Sequence, residues 1–443
     1  IAGRSYTLAP TAFPLTDDDQ THSMHGLSLK SHTQGRFDWE LAASLYDYGR
    51  DRQRAPTTAL PQSAQGGPGT LQSQDGTGWN TLAARGTWRP QGASGAHVLD
   101  FGAGRDAWRL DILKTGVAGD WRSGPADPAA LVSDVGGRAR TFYAWGQDTW
   151  RLAPRLTATL GLRWERWRAS DGFTRTAAGG SQDYAARHDA GLSPKATLAW
   201  RWDSDTVLKA SLGRALRFPT VGELYGATSG GALSFINDPN LKPERSWTTE
   251  LSLERAVGEG LARASWFHES TRDALYSQPI AGTTVSRVQN IDHVRTWGVE
   301  LAYAGPLAAV PGLDAGGSLT YAHSLIAANA GYPASVGKWQ PRVPRWRATA
   351  YATWQPPALE GRWAFTVAAR YSGRQYAALD NSDVNGGTYM GASKYFTVDL
   401  RVRWRISRQL TAAFGIDNAN DCRYWNFHPY PQRTYSASLR WDL

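Results

Sequence analysis

The chain has 443 residues, 48 Lys and Arg against 39 Asp and Glu, a net charge of +9 and a mean hydropathy of −0.46. No apolar run approaches the roughly 20 residues a transmembrane helix needs, which excludes a helical membrane protein but not a barrel, whose strands bury only alternate residues. The 21 Trp and 18 Tyr exceed what a soluble core uses and suit a membrane–water interface, where a ring with one polar edge is favoured.

In chain order, alternating apolar and polar residues predict a succession of strands. Residues 1–9 read as a weak strand, followed by a loop holding Asp17, Asp18 and Asp19. Residues 26–32 and 37–46 form a hairpin across HTQG, and 47–75 reads as a long Gly/Pro/Gln-rich loop. Strands at 78–88 and 96–101 pair across a short turn, and a second long loop is expected over about 105–138. Strands 141–151 and 155–167 are joined by LAP. In the second, Leu160, Leu162 and Trp164 face one way and Gly161, Arg163 and Glu165 the other.

Strands 190–202 and 206–214 flank a DSD turn, before a long loop over 215–245. Strands 247–255 and 261–269 flank VGEG, and a loop near 277–282 precedes the strand at 295–303. Further strands fall at 313–325, 345–355 and 362–373. The end of the chain is the clearest: KYFTVDLRVRWRI, LTAAFGIDNAND and TYSASLRWDL. There Phe396, Val398, Leu400, Val402 and Trp404 alternate with Thr397, Asp399, Arg401, Arg403 and Arg405, a greasy face and a charged one. A barrel in a bilayer needs this, with lipid outside and water inside.

Short turns and long loops alternate, which is the layout of an all-β, antiparallel transmembrane barrel with short periplasmic turns and long extracellular loops. The count is about 18 strands, residues 1–9 being doubtful, and the whole of 1–443 reads as one barrel domain. A propeller would instead repeat with a period of about 40–50 residues, and no such repeat is present.

The positive balance has two readings: a genome that chooses Arg over Lys, or a lumen that attracts anions. Nucleic-acid binding is not expected, because the basic residues are dispersed among acids rather than clustered. Cys422 is the only cysteine, so no intrachain disulfide forms. VLDFGAG within 97–107 resembles a nucleotide-cradling glycine loop, but no helix is expected after it; as a barrel strand, its glycines make room on the lumen face. His22, Met24 and His25 suggest copper, yet in a strand only His22 and Met24 share a face. No nucleophile elbow or zinc spacing is present, so no enzyme, resident metal or cofactor is expected.

Several segments resemble the barrel of TonB-dependent outer-membrane receptors of the siderophore-receptor type. LRFPTVGELYG followed by DPNLKPERSW matches an R-x-P loop and an N-L-K-P-E segment, here Asn240, Leu241, Lys242, Pro243 and Glu244. These five read as architectural residues. QNIDHVRTWGVELAY resembles the family's N-I…G-x-E strand, and IDNANDCRYW with YPQRTY its terminal hairpin, the matches together covering 192–443.

The resemblance implies a monomeric receptor in the Gram-negative cell outer membrane. It would import a metal chelate, most often a ferric siderophore, with the TonB complex as partner. It also implies 22 strands and an N-terminal plug, so the sequence is expected to lack a signal, the plug and about four strands, leaving a gapped edge beside Tyr435 and Trp441. The alternative is a passive 18-stranded substrate-specific porin, closed by pairing of the last strand with residues 1–9. Ligand-binding candidates are Arg50, Arg52, Arg54, Trp121, Arg122, Tyr225 and Tyr276 in loops, and Arg163, Arg370, Arg401 and Arg403 in the lumen.

Overall fold

The computed structural model describes residues 15–177, 180–230, 233–279, 286–383, 391–426 and 428–442. Among these, one sheet of 21 strands forms the body. Four of its strands, Gly69–Ser73, Gly180–Tyr184, Ala227–Gly230 and Leu233–Ile236, are short additions in the loops. The remaining 17 make the wall. They are β1 (Asp17–Lys30), β2 (Phe37–Pro56), β3 (Gly78–Trp88), β4 (His97–Val117), β5 (Ala126–Ala153), β6 (Leu156–Thr176), β7 (Arg187–Arg201), β8 (Thr206–Arg217), β9 (Glu244–Val257), β10 (Gly260–Pro279), β11 (Ser286–Pro306), β12 (Leu313–Ala328), β13 (Trp346–Trp354), β14 (Trp363–Ser372), β15 (Tyr395–Arg405), β16 (Leu410–Asp417) and β17 (Thr434–Trp441).

Each wall strand pairs antiparallel with its neighbours in chain order. These are the strands read from the sequence, apart from 1–9, which lies outside the described residues, as does Leu443. Among the described residues β1 pairs only with β2 and β17 only with β16; residues 1–9, the alternative partner expected for β17, lie outside them.

The wall's outward face is the apolar one. Leu82, Phe101, Phe142, Leu160, Leu162, Leu251, Leu301 and Leu400 are all exposed, as a lipid solvent requires. On single outward rows Phe142 and Trp150, Trp346 and Trp354, Tyr371 and Trp363, and Phe396 and Trp404 stand eight positions apart. Eight residues rise about 26 Å along a strand, and with the usual tilt this fits an apolar band of about 25 Å between aromatic girdles.

Two expected long loops are largely strand, and Asp17, Asp18 and Asp19, also expected in a loop, open β1 opposite Arg54, Gln53 and Arg52. β2 continues to Pro56 and pairs with Gly69–Ser73, so 47–56 and 69–73 are not loop. β4 runs to Val117 and β5 starts at Ala126, which leaves only 118–125 between them. At about 3.3 Å per residue, the 21 residues of β4 extend well past the hydrocarbon layer. Beyond it both faces meet water, so the alternation that marks a strand is lost. Register shifts at Lys114/Thr115 and Thr115/Gly116 blur the pattern further.

Candidate functional site

The inner face near the long-loop end carries an aromatic ladder that crosses strands. His22 on β1 stacks on Tyr48 of β2 at 4.0 Å between centroids. Tyr46 meets Tyr48 edge-on at 5.5 Å and stacks on Trp79 of β3 at 5.9 Å. Trp79 lies 5.6 Å from Trp108 of β4. The alternation places all five rings inside, because Leu45, Leu82 and Phe101 occupy the opposite parity and face lipid. A bulge at Thr21/His22 turns the His22 ring to its partners: Nε2 lies 3.0 Å from an Asp51 carboxylate oxygen and Nδ1 3.0 Å from the Tyr46 hydroxyl. Both ring nitrogens are thereby engaged. Among the described residues no three His, Cys, Asp or Glu side chains converge as a metal site.

Segment 218–226 folds inward against this wall. Thr220 and Glu223 form a capping box that starts the one-turn helix α1 (Val221–Tyr225), and Arg217 pairs with Glu223 at 2.5 Å. Phe218 stacks on Trp167 of β6 at 5.7 Å. Tyr225 is buried over Gly137 and Gly172, where any Cβ would fall within 2.4 Å of its ring. Burial raises the Tyr225 phenol's pKa above its ordinary value. Between the helix and the ladder lies a cavity of about 350 Å³, lined by Tyr48, Trp79, Trp108, Trp167 and Phe218 with Arg109 at its side.

Deeper in the lumen the wall is charged. A second cavity, of about 610 Å³, is lined by Arg85, Arg163 and Lys195 with Asp100 and Glu165. Gly102 and Gly104 of the VLDFGAG stretch face this interior. A Cβ on Gly104 would fall 2.4 Å from the Tyr143 hydroxyl, so the glycines seat aromatic side chains and not a nucleotide.

The candidates from sequence divide. Arg50, Arg52 and Arg54 lie on β2, not in a loop, because that strand extends past the membrane. Arg50 pairs with Asp19 at 2.9 Å and Arg52 with Asp75 at 2.7 Å. Arg54 donates to the carbonyls of Trp121 and Gly124 at 3.3 and 2.8 Å. Trp121 is 3% exposed and donates to the Ser63 carbonyl, while Arg122 donates to the Ala64 carbonyl. Trp121, Tyr225 and Arg122 thus fasten loops. Tyr276 donates to the Pro341 carbonyl at 3.2 Å.

In the lumen, Arg163 lies 3.9 Å over the Tyr143 ring and 3.0 Å from Glu165. Arg370 pairs with Asp399 and Arg401 with Asp417, at 3.3 and 3.4 Å. Arg403 is exposed on the same inner row. The structure does not gather these eleven into one place. Sequence reasoning missed the ladder, because only Tyr46 and Trp79 fall in strands read from the sequence, whereas Tyr48 and Trp108 fall in stretches read as loops.

The motif residues are architectural, as expected. Leu241 is 1% exposed beneath α1. Asn290 accepts from the Lys242 amide at 2.8 Å and donates to the carbonyls of Lys242 and Asp273, which ties the N-L-K-P-E segment to the N-I-D strand. Asn418 exchanges two bonds with the Cys422 backbone, and Asn420 bridges to Phe396 and Val398.

The profile of the TonB dependent receptor-like β-barrel family matches residues 2–419. The chain belongs to this family. It is an outer-membrane barrel. A stretch of 183 residues is 27% identical to an iron-regulated outer membrane virulence protein of Vibrio cholerae, covering 38% of this chain and 28% of that protein. A stretch of 217 residues is 23% identical to the ferripyoverdine receptor of Pseudomonas aeruginosa, covering 46% and 26% respectively.

Among solved structures, the ferric yersiniabactin uptake receptor of Yersinia pestis superposes with a TM-score of 0.70 at 17% identity, over 95% of this chain and 61% of that one. A copper transporter gives 0.71 at 18% identity, over 96% and 66%. These likenesses show the fold. The matched part spans about a quarter of the curated relatives' length.

Proposed function

We propose that this barrel is the wall of an energy-coupled receptor that takes up an anionic, aromatic metal chelate of the ferric siderophore class, working as a monomer with the TonB complex as partner. The observation that carries the reading is the inward ladder His22, Tyr48, Tyr46, Trp79 and Trp108, with a cavity beside it. Stacked rings hold planar aromatic groups such as catechols. Below the entry site Arg403 adds a lumen cation, while Arg163, Arg370 and Arg401 are offset by Glu165, Asp399 and Asp417. The copper transporter among the structural relatives keeps other metal chelates in the same class of cargo. Family membership speaks for this reading over the passive 18-stranded porin.

The test is equilibrium binding of a ferric tris-catecholate and of ferric citrate to the purified chain and to Trp79→Ala/Trp108→Ala. The catecholate is expected to bind and to lose about 5- to 150-fold in the double variant, at roughly 0.5–1.5 kcal/mol per lost stacking contact. Undiminished catecholate binding in the variant refutes the site. Single-channel current blocked by a neutral solute would instead support the porin.

A further inference from the structure

The outward face carries a second pattern, which transport does not use. At the long-loop end of the lipid band, the aromatic residue of five outward rows is followed, two positions farther from the membrane centre, by a cation, whereas Trp346 and Tyr371 are followed by Pro344 and Gly373. Phe142 is followed by Arg140, Trp164 by Arg166, Trp247 by Arg245, Trp297 by Arg295 and Phe396 by Lys394. All five cations are exposed. At the short-turn end the corresponding positions hold no charge: Trp150 is followed by Leu152, Trp200 by Trp202, Trp354 by Pro356 and Trp404 by Ile406.

The collar is densest over β4 to β6. Arg140 and Arg168 stand directly opposite each other across the β5–β6 ladder, and Arg105 and Arg166 both flank Phe142. Like charges in register repel. Acids offset only part of this charge: Asp171 lies 3.7 Å from Arg138, Asp111 pairs with Arg109, and Asp47 borders the groove. Among the described residues no carboxylate pairs with Arg105, Arg140, Arg166 or Arg168, and Arg105 Nε is buried without a partner, its Nη2 donating to Asn80 at 2.9 Å. The groove enclosed by Arg105, Arg138 and Arg140 measures about 280 Å³. Arg245 and Arg272 also stand opposite each other on β9 and β10, with Asp273 3.9 Å from Arg245.

We infer that this outward collar binds the phosphate groups of an outer-leaflet lipid, with the primary site at Arg105, Arg138, Arg140, Arg166 and Arg168. Its height, immediately beyond the aromatic girdle, is that of a lipid headgroup. Guanidinium forks match phosphate oxygens bidentately, and a bridging dianion relieves the Arg140–Arg168 repulsion.

The test uses the purified full chain in neutral detergent, with lipid retention read by native mass spectrometry. The lipids are diphosphoryl lipid A, its fully dephosphorylated form and phosphatidylglycerol; inorganic phosphate alone is a separate arm. Diphosphoryl lipid A is expected to be retained most tightly and the dephosphorylated form roughly 100-fold less, a wild-type comparison that needs no variant to fold. Arg140→Gln/Arg166→Gln/Arg168→Gln is expected to lose roughly 100-fold as well, at about a factor of five per cation near a charged surface. Removing three cations from the short turns (Arg155, Arg362 and Arg408) is expected to leave retention unchanged. Equal retention of the dephosphorylated lipid, or retention by the collar variant at the wild-type level, overturns the inference. So does free phosphate saturating the site at the same concentration as the lipid.

Discussion

Replacing Gly172 by Ala is expected to lift segment 218–226 off the lumen wall while leaving the barrel intact. The added Cβ would fall 2.3 Å from both Cε1 and Cζ of Tyr225, whose side chain is 2% exposed. No left-handed backbone is involved at Gly172, so the effect is steric alone. Overpacking of this kind costs about 1–3 kcal/mol, and the loop is expected to give, because Gly172 is paired with Tyr184 of the short strand Gly180–Tyr184 and the next residue, Phe173, with Gly136 of β5. Since about 1.4 kcal/mol is a factor of ten, the local opening constant should rise by roughly 5- to 150-fold. Amide hydrogen exchange over 218–226 reads this directly, with the amide of Leu224, bonded to the Thr220 carbonyl at 3.1 Å, as a reporter. Tyr225→Ala should open the segment too, and Gly172→Ala added to Tyr225→Ala should add nothing, because the clash is gone. Unchanged exchange in Gly172→Ala, or full additivity in the double variant, would refute the packing argument.

Leu160→Arg puts a charge on the lipid face and should cost about 2–4 kcal/mol, seen as loss of the heat-modifiable folded band after refolding into vesicles, whereas Thr159→Arg on the lumen face should fold normally. Asn290→Ala removes three bonds that tie Lys242 and Asp273 together and should cost about 2 kcal/mol, measured as faster exchange of the Lys242 amide with little change in mid-strand amides. Tyr332 donates to Asp380 at 2.7 Å, and Asn381 bonds twice to the Trp339 backbone, so two outer loops are latched together. Burial opposes ionisation of Asp380, but hydrogen bonds from Ser382 and Tyr332 outweigh it and hold its pKa below the ordinary 3.8. A carboxyl depressed in the folded state stabilises above its unfolded value and loses that contribution as pH falls through the folded one. The latch should therefore hold at neutral pH and loosen below about pH 4, as decreasing protection of the Trp339 amide after correction for intrinsic exchange; protection that is flat to lower pH argues against it.

The greasy face of each strand and the order of turns and loops were legible in the sequence, because each is local. In a strand the parity of a residue fixes its face, and a lipid solvent on one side forces that parity into the composition. Leu160 and Arg163 could be placed on opposite faces from sequence alone. The architectural role of Leu241–Glu244 was legible too, although its partner Asn290, 48 residues later than Lys242, was not.

Other features were decided only by the tertiary structure. How far β2, β4 and β5 continue beyond the membrane depends on pairing where both faces meet water and alternation carries no signal. Whether Trp121 and Tyr225 meet a ligand or fasten a loop depends on what lies across from them, Ser63 and Gly172, many residues away. The ladder from His22 to Trp108 is built by register between strands, and a bulge at Thr21/His22 sets its first ring. Sequence states which face each side chain takes; barrel curvature and strand register decide which side chains on that face meet.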